Sequence, residues 1–90
     1  MATVRLPPVI RPAAGGNRTV DVDGGTLREA LEDLFARYPE TRSQIVDDEG
    51  DLNRFVNVFV DREDVRLREG LDTSVAEGST VIVMPAMAGG

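Results

Sequence analysis

The side chains that most often perform covalent or proton-transfer chemistry are missing from this sequence. Its 90 residues include no Cys and no His. Disulfides, thiolate metal sites and cysteine nucleophiles are thereby excluded. The commonest general base and metal ligand is also absent. Carboxylates remain, densest in Asp47-Asp48-Glu49-Gly50-Asp51. That run lacks the alternating ligand positions and closing Glu of an EF-hand loop, so a solvated turn is expected there. The reactive group is better sought outside the side chains. The chain ends Val83-Met84-Pro85-Ala86-Met87-Ala88-Gly89-Gly90, and a carboxylate at Gly90 becomes an electrophile once it is activated. Gly89 and Gly90 lack Cβ atoms, so such a tail can enter a narrow channel in backbone conformations other residues resist.

Composition narrows the options further. One domain with one core is expected from this length, and 41% apolar against 29% charged residues is ordinary for a soluble globule. The formal net charge is −6. Nucleic-acid affinity rests largely on Lys and Arg, so no nucleic-acid partner is expected. The acidic balance serves solubility and suits a partner with a basic docking surface. All ten basic residues are Arg. An activated terminal acyl group would find no lysine on its own chain, although a coding bias towards Arg is the better account of this composition. No segment approaches the ~20 apolar residues needed to span a bilayer, and Met1 to Arg5 has no apolar signal core. A cytoplasmic monomer without membrane association is expected.

The elements that must position the tail follow from patterning. Thr3 to Ile10 reads as a strand limited by Pro7-Pro8, and Arg18 to Asp23 as its hairpin partner, with Arg11 to Asn17 as loop. Thr26 and Glu29 form a capping-box pair. Leu27, Ala30, Leu31, Leu34, Phe35 and Tyr38 make a buried helical stripe that Pro39 ends. Arg28/Glu32 and Asp33/Arg37 are i,i+4 pairs of opposite charge. Glu40 to Val46 reads as a helical turn. Phe55 to Val60, Val65 to Leu67 and Thr80 to Met84 read as strands. One helix covering one mixed sheet, with a right-handed crossover setting the first and last strands side by side in parallel, is an α+β, β-grasp (ubiquitin-like) fold of four to five strands. Residues 1–84 form this domain and 85–90 a flexible tail.

With those elements in place, the chain resembles the MoaD/ThiS type of ubiquitin-like sulfur carriers, through the Gly89-Gly90 end directly after the last strand. Leu6-Pro7-Pro8-Val9-Ile10-Arg11-Pro12, Arg54-Phe55-Val56-Asn57-Val58-Phe59-Val60 and Glu63-Asp64-Val65-Arg66 are most similar to the CysO type, which serves cysteine synthesis. The resemblance implies a protein co-substrate, not an enzyme. An E1-like adenylating enzyme would consume ATP to activate Gly90, with no cofactor bound to the carrier itself. A sulfur donor would then leave a thiocarboxylate, and a sulfur-acceptor enzyme, cysteine-synthase-like on this resemblance, would receive the sulfur. Met84-Pro85-Ala86 stands where some relatives carry an aromatic residue followed by Pro-Pro, which bears on partner choice.

Alternation also leaves large apolar residues on the sheet face opposite the helix. Phe59 and Met84 are the leading partner-binding candidates, ahead of Phe55 and Ile82, with Pro85, Ala86, Met87 and Ala88 leading to Gly89 and Gly90. The Arg62-Glu63-Asp64 turn and the Arg66/Arg68 pair read as solvated. Three functions fit these features. One is a sulfur carrier, for cysteine synthesis or for molybdopterin, thiamine or tRNA thiolation. The second is a modifier attached to protein lysines. The third is a passive module acting through its patch alone.

Overall fold

Thr26 opens the main helix as the sequence requires. The computed structural model describes residues 1–86, and in it α1 spans Leu27–Arg37. Thr26 Oγ1 accepts from the Glu29 N–H at 3.2 Å. The reciprocal bond is displaced by one residue: Glu29 Oε1 accepts from Gly25 N–H at 2.8 Å, so the box also secures the glycine turn before the helix. The expected stripe is buried from Leu27 to Phe35, and half-buried Tyr38 packs beside it. Asp33 pairs with Arg37 at 3.0 Å, but Arg28 and Glu32 do not pair. Arg28 reaches Asp72 at 3.4 Å and Glu32 binds Arg42 at 3.1 Å. Arg placed before Glu opposes the favourable orientation on a helix, and both side chains find partners on other elements.

Five strands form the sheet beneath this helix: β1 (Ala2–Arg5), β2 (Thr19–Val22), β3 (Val56–Val60), β4 (Glu63–Asp64) and β5 (Thr80–Pro85). Their order is β2-β1-β5-β3-β4. β1 and β5 are adjacent and parallel, and every other pairing is antiparallel. This is the expected β-grasp. The inward residues Val4, Val20, Val22, Val58, Val81 and Val83 meet Leu27, Leu31 and Leu34 in one core, where each fully buried aliphatic side chain contributes about 1.5–3 kcal/mol. A short second helix, α2 (Arg42–Ile45), adds the buried Ile45.

Several expected bounds shift, and the larger shifts have local reasons. β1 stops at Arg5, because Pro7-Pro8 cannot continue a ladder. The chain turns through Ile10 N–H to Pro7 O at 3.0 Å, and Arg11–Ala14 forms a 3₁₀ turn within the expected loop. The strand expected at Val65–Leu67 is also a 3₁₀ turn. Asp64 Oδ1 takes the Arg66 N–H at 2.9 Å, and this local bond replaces strand pairing. The short pairing falls earlier, at Glu63 and Asp64, after a two-residue hairpin turn in which Asp61 and Arg62 both have positive φ (49° and 76°). Finally, β5 runs through Pro85, one residue past the expected end. No helix among the described residues is long and apolar enough to cross a membrane.

Candidate functional site

The tail leaves from the middle of the sheet, because β5 lies between β1 and β3. Its pairing with β3 sets out the outward face in rows. Ile82 stands opposite Phe59, and Met84 opposite Asn57. Ala86 N–H donates to Phe55 O at 2.8 Å. The apolar rows therefore run towards the tail, whereas the opposite end of β5 is polar. Phe55 and Met84 are 61% and 48% exposed, and Phe59 and Ile82 are half-buried. Phe55 is thus more accessible than Phe59. Alternation showed which face these residues share. It could not show that Phe55 borders the tail while Phe59 lies inside the sheet, between Ile82 and Asp64.

Pro85 occupies this strand without loss. Ala86 directs its N–H at β3, so alternation turns the Pro85 nitrogen to the other side. There, pairing with β1 has already ended at Arg5–Ile82. The departure of Leu6-Pro7-Pro8 opens a groove of about 550 Å³ beside the tail root, with Ile82, Met84 and Pro85 on one wall and Arg5, Arg11 and Arg18 among its polar lining. Arg11 Nε donates to Leu6 O at 3.0 Å.

Arg66 anchors the other flank and corrects the expectation that it is merely solvated. Its guanidinium donates to Val56 O at 2.7 Å, Asn57 Oδ1 at 3.1 Å and Asn53 O at 2.9 Å. It thereby fixes the start of β3, next to the Phe55 carbonyl that receives the Ala86 N–H. Arg68 pairs with Glu63 at 2.8 Å. The guanidinium of Arg54 lies 5.5 Å from the centre of the Phe55 ring, within cation–π range.

At the far end of β5, Asp61 accepts from Thr80 N–H at 3.0 Å and from the Ser79 hydroxyl at 2.7 Å. These bonds, the Thr80 N–H foremost, hold its carboxyl below the ordinary Asp value. Asp33 is lowered chiefly by the Asp23 N–H, with Arg37 adding to it. Both groups have structural partners far from the tail. In the acidic turn, Asp47 Oδ1 accepts from the Glu49 and Asp51 N–H groups, and among the described residues no cluster of carboxylates is placed to hold a metal ion.

The structure therefore places Phe59, Met84 and half-buried Ala86 on the outward parity of the sheet, with exposed Pro85 between Met84 and Ala86 at the strand's end. Met87, Ala88, Gly89 and Gly90 lie outside the described residues. Sequence reasoning missed the Arg66 clamp and the arginine-lined groove. Arg5, outward on β1 just before Pro7-Pro8, was the available signal for the latter.

Known proteins match this arrangement along nearly the whole chain. The ThiS family model matches residues 4–90. The sulfur carrier protein CysO of Mycobacterium tuberculosis is 42% identical over 90 residues, covering 98% of this chain and 97% of its own. Small archaeal modifier protein 1 of Haloferax volcanii is 35% identical over 78 residues, covering 83% and 85%. A chain of the BexX/CysO complex of Amycolatopsis orientalis superposes with a TM-score of 0.92 at 38% identity, with both chains fully covered. By its strand order, its tail exit and this family match, the chain belongs to the ThiS family.

Proposed function

We propose that this protein is a sulfur carrier whose reactive group is the carboxylate of Gly90. The observation that carries this reading is the likeness to CysO along almost the full length of both chains. The exit of the chain from a central strand, onto an exposed apolar face, supports it. An E1-like enzyme would add the Gly90 carboxylate oxygen to the α-phosphorus of ATP, releasing pyrophosphate. Sulfide delivered by the sulfur source would then attack the acyl carbon and displace AMP, leaving a thiocarboxylate. The carrier's own part is to present the tail: Phe55, Phe59, Met84, Pro85 and Ala86 form the surface that docks, while Gly89 and Gly90 enter the partner's site. The acceptor favoured by the CysO likeness is a cysteine-synthase-like enzyme.

Incubation with the cognate activating enzyme, ATP and a sulfur source should raise the intact mass by the difference between sulfur and oxygen. Deleting Gly90 should abolish that gain. An unchanged mass with an active cognate enzyme refutes the proposal. The likeness to a small archaeal modifier protein favours one second reading, attachment of the same activated Gly90 to lysines of other proteins. Gly-Gly remnants on target lysines after digestion of cell extract distinguish it.

A further inference from the structure

We propose that the groove between the ends of β1 and β5 seats a segment of the activating enzyme that carries both acidic and apolar side chains. The inference rests on the sulfur-carrier reading and identifies the chemistry of the first partner's surface. The whole chain is acidic, with 16 Asp and Glu against 10 Arg, but its charge is unevenly placed. Arg5, Arg11 and Arg18 line the groove beside Met84 and Pro85. Arg5 lines a second, smaller depression with Asp61, Arg62, Thr80 and Ile82, where the Asp61 carboxylate is engaged by the Ser79 hydroxyl and the Thr80 N–H. None of Arg5, Arg11, Arg18 or Arg62 forms an ion pair among the described residues, whereas Arg28, Arg37, Arg42 and Arg68 do, on other surfaces.

The net charge of −6 had suited a basic partner. At the root of the tail the local sign is opposite. Arg5 lies in register with Ile82, so its positive charge borders the apolar rows directly. A carboxylate of the partner at this edge would meet guanidinium groups that have no competing ion pair among the described residues. The apolar side chains beside it would cover Ile82, Met84 and Pro85. Complementary charge at such an edge accelerates encounter and fixes orientation more than it adds affinity.

The test compares association of the cognate adenylating enzyme with wild-type protein and with the Arg5→Glu, Arg18→Glu and Arg28→Glu variants, by stopped flow across a series of salt concentrations. Thermal melts verify folding, and Arg5→Gln removes charge without reversing it. Arg5→Glu and Arg18→Glu should each slow association about tenfold at low salt and flatten its salt dependence. Arg28→Glu, the same charge change on the helix side, should leave the rate unchanged. Equal slowing in all three variants, unchanged or faster association of the groove variants, or no association of the wild type overturns the inference. Thiocarboxylate formation is read separately by mass. If it fails while the binding pattern holds, the sulfur-carrier reading falls and the acidic-partner inference stands; the reverse pattern retains the carrier and removes the groove.

Discussion

Replacing Arg66 by Ala tests whether the tail root is held from the β4 side. The guanidinium makes three hydrogen bonds, to Asn53 O, Val56 O and Asn57 Oδ1. A hydrogen bond from a charged group contributes about 1.5–3 kcal/mol when water cannot replace it. Only the bond to Val56 O is half-buried, so the loss should approach the value of that bond alone, about 2 kcal/mol. In a domain of this size each kcal/mol moves Tm by about 4–8 °C, giving a fall of about 8–16 °C. Arg66→Lys should recover less than half, because a point ammonium cannot span carbonyls that the planar fork reaches together. Differential scanning calorimetry measures the first effect. Amide hydrogen exchange measures the second: Ala86 N–H, bonded to Phe55 O beside the clamped segment, should exchange faster, while Val4 and Val81 in the central pairing change only with global stability. An unchanged Tm together with unchanged exchange at Ala86 would show that Arg66 does not hold this flank.

Two further predictions concern stability. Asp61 and Asp33 have folded pKa values below the ordinary Asp value of about 3.9, so their contribution is complete above that value and is lost as pH falls through it towards the folded values. The Asp33→Asn/Asp61→Asn pair should flatten the decline in stability below about pH 4, measured by urea titration at each pH; an acid limb identical to wild type counts against the assigned bonds. Gly24→Ala should cost about 2–3 kcal/mol, since Gly24 has φ of 153° and an added Cβ would lie 2.5 Å from the Ala30 nitrogen. A midpoint equal to wild type in denaturant would contradict that geometry.

The parts legible in the sequence were those governed by periodicity. The stripe from Leu27 to Tyr38 defined the helix, and alternation placed Val56, Val58, Val81 and Val83 inward. What escaped depended on partners distant along the chain. Arg28 and Glu32 satisfy the i,i+4 rule, but Asp72 and Arg42, invisible to a local window, take them. Val65 is apolar and buried as a strand residue would be, yet the Asp64 side chain bends the backbone around it. Arg66 reads as one more solvated cation until folding brings the Asn53 and Val56 carbonyls to it. For the candidate site, face sharing was readable from Phe55, Phe59 and Met84. Their relative exposure was not, because it depends on where each strand ends.

The central placement of β5 also has a mechanical consequence. A partner drawing the chain into a narrow channel pulls on the strand along its own axis. β5 is bonded to β3 as far as Pro85 but to β1 only as far as Ile82, so tension past Ala86 meets the β3 ladder first and loads both ladders in shear from Ile82 inward. The Ala86–Phe55 bond is the outermost among the described residues, and its loss would leave the pairings of Ile82 and Val83 in place. A pull on the end of the chain is thus resisted by strands on both sides of β5 before the core residues Val81 and Val83 are reached.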